Sequence, residues 1–177
     1  MKDFLTSRSE RLSYGSFFLG QNIIFTVVTS YLMLFYTDVM GIAAISVATL
    51  FLIARVWDAV NDPILGSIVD KADLKKGKFL PWINSTVFLL PVVTIILFID
   101  PKWGESGNLV YAYITYILWG MVYTVSDVPI FALATVLTDK GNERVALISI
   151  GRIFAGIASL VMAAITFPLI KKLGWWQ

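Results

Sequence analysis

The chain carries the stretch Arg55-Val56-Trp57-Asp58-Ala59-Val60-Asn61-Asp62-Pro63 near the middle of an apolar run from Gly41 to Val69. This run is long enough to cross a bilayer, which takes about 20 apolar residues. A charge at the centre of a span costs at least about 3 kcal/mol, and this run places three charges there. At 100° per residue, a single helix face of roughly 120° holds Arg55, Asp58, Asn61 and Asp62. We therefore expect these side chains to face protein or water, as at a functional site.

The composition indicates a membrane protein. The 177 residues are 58% hydrophobic and 15% charged, whereas about 25% of the residues in soluble domains are charged. The net charge of +2 is too small to indicate nucleic-acid binding. Cysteine and histidine are absent, so proton or metal chemistry must use carboxylates, amides and hydroxyls. These groups suit hard cations or protons rather than zinc or copper.

Apolar length predicts an all-α membrane protein with five transmembrane helices, separated by polar breaks. The predicted spans cover residues 14–36, 43–69, 79–99, 109–137 and 146–170. Pro63 and Pro129 lie inside two of these spans, where proline removes a helical hydrogen bond and is expected to bend the axis.

Basic residues predict the orientation of these spans. Lys2, Arg8 and Arg11 precede the first span, and a lysine-rich loop around Lys76 follows the second. The positive-inside rule therefore predicts a multi-pass protein of the cell membrane with a cytoplasmic N-terminus. A transporter built from repeats would need a sixth span and a second half, so we expect the chain to be the first part of a larger protein or a truncated product.

Two acids on one helix face predict a cation site. Asp58 and Asp62 are one helical turn apart, so their carboxylates can converge on one small cation, and Asn61 adds a neutral oxygen. Alternatively, Arg55 neutralises one aspartate and the pair only joins helices.

A second polar face lies in the fourth span, within about 100° on a helix, and it contains Tyr123, Thr124, Asp127 and Phe131. A carboxylate between aromatic rings can hold a sugar, because the acid accepts hydroxyl protons while a ring stacks on the apolar sugar face. Alternatively, the rings are packing residues and Asp127 pairs with an arginine.

Arg152 in the fifth span has a donor fork that suits a carboxylate or substrate hydroxyls. It could instead form a salt bridge to Asp127 or Asp62. The intramembrane set then holds three acids, Asp58, Asp62 and Asp127, against two bases, Arg55 and Arg152. The excess negative charge predicts a bound monovalent cation or a proton on one aspartate.

Three motifs carry a family resemblance: the stretch from Arg55 to Pro63, Lys76-Gly77-Lys78-Phe79-Leu80-Pro81-Trp82, and the run from Tyr116 to Pro129. They resemble the glycoside–pentoside–hexuronide:cation symporters, the melibiose-permease-like branch of the major facilitator superfamily. The resemblance implies a twelve-helix fold of two six-helix halves, of which this chain would be the first five helices. It also implies alternating access around one sugar site and one sodium, lithium or proton site, without a further cofactor.

Carried onto matching positions, the resemblance implies a cation, or metal-ion, site formed by Asp58, Asn61, Asp62 and Thr124. Its sugar site would include Tyr123, Asp127 and Arg152. Melibiose-permease-like members have a Lys-Asp pair where this chain has Gln21-Asn22, and a tryptophan where it has Phe131. Asn22 can still bind a sugar hydroxyl, but without charge, so a pentoside or another glycoside is as compatible as melibiose.

The leading hypothesis is sugar:cation symport, a transport function rather than an enzymatic one, with a glycoside or pentoside, a monovalent cation, the lipid bilayer and the remainder of the carrier as partners. One alternative is a non-transporting fragment or remnant of such a carrier. Another is an intramembrane hydrolase that uses Asp58 and Asp127 as acid and base, because carboxylate pairs cleave glycosides.

Overall fold

Five long helices make up the computed structural model, which describes residues 6–72 and 79–172, apart from the side chains of residues 70, 167 and 169–172. The helices are α1 (Arg8–Leu34), α2 (Ala44–Lys71), α3 (Leu80–Leu97), α4 (Gly104–Leu137) and α5 (Gly141–Lys172). A π-helical turn, Phe35–Val39, continues α1. Lys2 and the basic loop around Lys76, which carried part of the orientation and resemblance arguments, lie outside the described residues.

All five helices are long and apolar enough to cross a membrane, which confirms the predicted all-α membrane architecture. Their faces also carry large apolar side chains in the open, such as Phe88 at 78%, Ile45 at 76% and Leu160 at 73% exposure. Exposing such side chains to water is unfavourable, whereas contact with lipid tails is favourable.

Three helices, α1, α4 and α5, begin before the apolar segments from which their spans were predicted, whereas α3 is shorter than its predicted span of 79–99. α1 begins at Arg8 because Ser7 and Glu10 form a reciprocal cap. The Glu10 amide donates to Ser7 Oγ at 3.1 Å, and the Ser7 amide donates to Glu10 Oε2 at 2.7 Å. This capping box satisfies two amides that no helical carbonyl can reach, so a polar turn precedes the apolar part of α1.

Both prolines singled out in the sequence lie inside continuous helices, Pro63 in α2 and Pro129 in α4. The Pro63 carbonyl accepts a hydrogen bond from Ser67 Oγ at 2.9 Å. The bend expected at each proline remains a prediction.

The chain divides into two compact units. The first combines the described residues within Met1–Ser30 and Ala134–Gln177, and the second those within Tyr31–Leu133. The boundaries between the units therefore fall within α1 and within α4, so each of these helices is divided between the two units.

In the first unit, α1 and α5 pack through two glycines. A Cβ atom built on Gly151 would lie 2.8 Å from Cδ2 of Phe18, and one built on Gly15 would lie 2.9 Å from Cδ2 of Phe154. Each helix thus offers a glycine to a phenylalanine of the other. Farther along, Thr26 Oγ1 and Ser159 Oγ are 3.1 Å apart, which adds a polar contact between the same two helices.

A buried acid ties the beginning of the first unit to the turn between α4 and α5. Glu143 is only 3% exposed. Its Oε1 atom accepts hydrogen bonds from the amide and hydroxyl of Thr6, and its Oε2 atom accepts one from Thr138 Oγ1 at 2.8 Å. Three donors on one carboxylate compensate its burial. Nothing in the sequence pattern singled out this residue.

In the second unit, the connections at one end are joined by the side chain of Asn108, which is 4% exposed. Its amide donates to the Met40 carbonyl at 2.9 Å and to Asp100 Oδ1 at 3.3 Å, and its carbonyl accepts the Trp103 amide at 3.1 Å. The backbone is left-handed nearby, at Gly41, Lys102 and Gly104. Asn108 therefore satisfies the backbone and side-chain groups that these turns leave exposed.

Candidate cation and sugar site

The two aspartates of α2 differ in their surroundings. The side chain of Asp58 is 28% exposed, and its Oδ2 atom lies 3.6 Å from Nη1 of Arg55, whose side chain is 68% exposed. Asp62 is an exposed residue one turn farther along the helix. The open position of Arg55 lets its guanidinium balance one carboxylate while remaining accessible.

Both aspartates lie against α4. Thr124 Oγ1 donates a hydrogen bond to Asp62 Oδ1 at 2.8 Å and also lies 3.1 Å from the Gly120 carbonyl. A Cβ atom on Gly120 would lie 3.3 Å from Asp58 Oδ1, so the missing side chain at this position makes room for the carboxylate. The contacts therefore join two positions on α2, four residues apart, to two positions on α4 with the same spacing. This matched spacing places both carboxylates over one short segment of α4.

Asn61 is the fourth residue of the predicted cation site. Its side chain is 6% exposed, and its Nδ2 atom has no hydrogen-bond partner among the described residues. The structure therefore joins Asp62 to Thr124 directly, whereas it places Asn61 beside them in sequence without a hydrogen bond to either.

The charges of this cluster do not balance. Asp58 faces a guanidinium, whereas Asp62 has a hydroxyl donor but no basic partner within the second unit as described. A hydroxyl compensates part of the desolvation of a carboxylate but none of its charge. No group of three or more Asp, Glu, His or Cys side chains able to hold a metal ion occurs among the described residues. Carboxylates with neutral oxygens beside them are ligands for hard cations or protons.

The predicted sugar-binding residues fall in both units. Tyr123, Asp127 and Phe131 lie on α4 in the second unit, and each is half-buried. Asn22 and Arg152 belong to the first unit. The amide of Asn22 donates to the Phe18 carbonyl at 2.9 Å, and Arg152 is exposed on α5. The convergence of these five residues on one sugar remains a prediction.

An aromatic column on α4 was not predicted. The ring of Trp119 stacks between those of Tyr116 and Tyr123, at centroid distances of 6.1 Å and 5.3 Å and interplanar angles of 11° and 26°. Phe51 of α2 lies 5.0 Å from Tyr116. Trp119 Nε1 donates to Thr94 Oγ1 of α3 at 3.0 Å. The spacing of Tyr116, Trp119 and Tyr123 by three and four residues was the available signal, since such positions share a helix face.

The chain matches the family model described as MFS/sugar transport protein over residues 13–175. It is 37% identical to the uncharacterized symporter YnaJ of Bacillus subtilis, covering 96% of this chain and 38% of that protein. The putative glycoside/cation symporter YagG of Escherichia coli is 34% identical over 93% of this chain and 36% of its own length. The isoprimeverose transporter of Lactiplantibacillus pentosus is 34% identical over 94% of this chain and 35% of its own length.

The chain thus spans at most about 38% of the length of these curated relatives. The family match confirms the resemblance to symporters and the prediction that the chain is not an enzyme, which leaves the intramembrane hydrolase without support. Together with five membrane-length apolar helices, it identifies an integral multi-pass membrane protein. The chain belongs to the MFS/sugar transport protein family.

Proposed function

We propose that the chain forms the cation-binding part of a carrier that moves a glycoside or pentoside together with a monovalent cation. The observation that carries this proposal is the matched contact of two carboxylates with α4, Asp58 at Gly120 and Asp62 at Thr124. A chain that needed only an anchor would not retain two acids in a span, because each is costly there.

The coupling cation would bind to Asp58, Asn61, Asp62 and Thr124. Two carboxylates, an amide and a hydroxyl supply the hard oxygen ligands that sodium or lithium prefers, and the carboxylates could equally bind a proton. Arg55 offsets one negative charge at 3.6 Å from Asp58, so a single positive charge would neutralise the remainder. Sodium, lithium and protons all meet this requirement.

The sugar would bind to Asn22, Tyr123, Asp127, Phe131 and Arg152. A ring of Tyr123 or Phe131 can stack on the apolar face of a pyranose, while Asp127 accepts and Arg152 donates hydrogen bonds to its hydroxyls. The uncharged Asn22 favours a glycoside or pentoside without a charge of its own.

Coupling would follow from the cost of an unpaired charge in the membrane. Thr124 of the cation site is the next residue after Tyr123 of the sugar site. A bound cation that orders Thr124 would therefore also favour sugar binding at Tyr123. During alternating access, closing the carrier over an unneutralised Asp62 would cost several kcal/mol, which hinders movement of the partly loaded carrier. The basic N-terminal segment favours a cytoplasmic N-terminus.

The test is a chimera in which this chain replaces the aligned residues of the isoprimeverose transporter, which restores a full-length carrier. We expect sodium, lithium or acidification to stimulate uptake of labelled isoprimeverose into cells. Asp58→Asn and Asp62→Asn should abolish the stimulation, whereas Asp38→Asn, which changes an exposed acid hydrogen-bonded to Thr37, should retain it. Retained stimulation in both α2 variants would overturn the proposal.

A second candidate is that the chain alone does not transport. It rests on the small share of its relatives' length that the chain covers, since one part of a carrier cannot enclose a site that needs the remainder. Uptake measured for the chain alone and for the chimera separates the two: equal uptake would exclude the non-transporting chain.

A further inference from the structure

We propose that Trp119 is a positioning residue for the sugar site and acts through the ring of Tyr123. This inference rests on the proposed function, because it assigns Trp119 a role in binding the same sugar. It concerns a residue outside the predicted site, in the aromatic column formed by Phe51, Tyr116, Trp119 and Tyr123.

Trp119 cannot offer a face to a sugar, because it is only 5% exposed and its ring is stacked between Tyr116 and Tyr123. Tyr123, in contrast, is half-buried and retains accessible surface. Stacking at 5.3 Å with an angle of 26° restricts the plane that the Tyr123 ring can adopt. The orientation of the accessible ring therefore depends on the buried one.

The orientation of Trp119 is set by a hydrogen-bond relay to α3. Its Nε1 atom donates to Thr94 Oγ1 at 3.0 Å, and Thr94 Oγ1 donates to the Leu90 carbonyl at 2.7 Å. Because the hydroxyl uses its one proton on Leu90, a lone pair is left for Trp119. The indole ring is thus fixed at its edge by a hydrogen bond and on its faces by tyrosines.

The consequence for binding is preorganisation. A Tyr123 ring that is already held in one plane loses less conformational entropy when a sugar stacks on it. The smaller entropy cost raises the affinity for the sugar. Without the relay, the indole and then the tyrosine would sample other orientations before the sugar binds. Asp62 and Thr124 hydrogen-bond to each other, and Thr124 to the Gly120 carbonyl, rather than to Trp119 or Thr94. We therefore expect the half-saturating cation concentration, measured at saturating isoprimeverose, to be unaffected.

The experiment measures isoprimeverose uptake by the chimera described above. Thr94→Val removes the acceptor at nearly constant volume, and Trp119→Phe removes the donor while retaining an aromatic ring. We expect each to raise the KM for isoprimeverose about fivefold, the factor that corresponds to about 1 kcal/mol and one neutral hydrogen bond. The half-saturating cation concentration should stay within about twofold of the wild type.

Two controls separate positioning from general damage. Thr94→Ser keeps the hydroxyl and should restore the wild-type KM. Thr86→Val removes a buried α3 hydroxyl that, among the described residues, bonds only to the Ile83 carbonyl of its own helix at 2.8 Å, and it should leave the KM unchanged. The double variant Thr94→Val/Trp119→Phe should be no worse than either single variant, since both remove the same hydrogen bond.

A wild-type KM in Thr94→Val and Trp119→Phe, or an equal rise in Thr86→Val, would overturn the inference while leaving the proposed function intact. A loss of maximal uptake at unchanged KM would also overturn it, because that pattern indicates a lower amount of folded carrier. A wild-type chimera without cation-stimulated uptake would overturn the proposed function and, with it, this assignment.

Discussion

Replacement of Gly151 with alanine is expected to destabilise the packing of α1 against α5. The added Cβ atom would lie 2.8, 2.9 and 3.1 Å from Cδ2, Cε2 and Cγ of Phe18. Carbon atoms in ordinary contact are about 3.5–4.0 Å apart, so the ring would have to move by roughly 0.5 Å or more. Phe18 is 3% exposed, and Cγ lies close to its backbone, so the ring cannot simply swing away.

Overpacking of this kind costs about 1–3 kcal/mol. Alanine also favours a helix over glycine by up to about 1 kcal/mol, which hides part of this cost. Gly156→Ala isolates the second effect, since Gly156 lies on the same helix and a Cβ atom there would meet none of the described residues within 4 Å. The free energies of unfolding of the two variants should therefore differ by about 1–3 kcal/mol.

The assay is unfolding of the purified chain in detergent by increasing SDS, followed by circular dichroism. Gly151→Ala should unfold at lower SDS than Gly156→Ala, and a further Phe18→Leu change, which removes the obstructing ring edge, should return most of the lost stability to Gly151→Ala. A difference below about 0.5 kcal/mol between the two glycine variants would refute the packing argument.

The other predictions concern hydrogen bonds. In the chimera, Thr124→Val should raise the half-saturating cation concentration about fivefold, as measured by the cation dependence of uptake, whereas Thr124→Ser should not. Glu143→Gln should cost about 1–3 kcal/mol in SDS unfolding and speed hydrogen exchange at the Thr6 amide, which loses a charged acceptor; unchanged exchange would contradict this. Asn108→Ala should lower the free energy of unfolding in SDS by about 1–3 kcal/mol. Asn84→Ala, at an exposed α3 position, should lower it by less than about 0.5 kcal/mol.

The five helices could be predicted because a bilayer demands a simple property, about 20 apolar residues in a row. Their ends could not be predicted from apolarity, because they depend on polar groups. α1 begins where Ser7 and Glu10 cap each other, not where the apolar residues begin. The π-helical turn at Phe35–Val39 followed from no sequence signal that we used.

The glycines show what a sequence pattern leaves open. Glycines in spans are expected to allow close helix approach. Gly15 and Gly151 do so, and Gly120 makes room for Asp58. A Cβ atom at Gly20, Gly66 or Gly156 would meet none of the described residues within 4 Å. Which glycines matter depends on where the facing helix places its large side chains, and a single sequence does not contain that register.

The charged residues of the candidate site could be predicted from the sequence, whereas the residues that position its side chains could not. Asp58 and Asp62 stand out because acids are rare in a span, and their spacing indicated one face. Trp119 offered only its spacing from Tyr116 and Tyr123, and Thr94 offered no signal, because a tryptophan and a threonine are ordinary in membrane helices. Their relevance comes from one hydrogen bond between α3 and α4, which only the packing reveals.

The contact between Thr6 and Glu143 joins residues 137 positions apart. At about 5–20 residues synthesised per second, the carboxylate follows the threonine out of the ribosome by roughly 7–27 s. The Ser7–Glu10 cap joins residues only three positions apart and can form as soon as they emerge. During biogenesis, α1 can therefore begin to form from its own cap and insert into the membrane before Glu143, the hydrogen-bond acceptor of Thr6, has been synthesised. Docking of the segment that contains Thr6 is a late event that can occur only after three further helices, α2 to α4, have been made and α5 has begun.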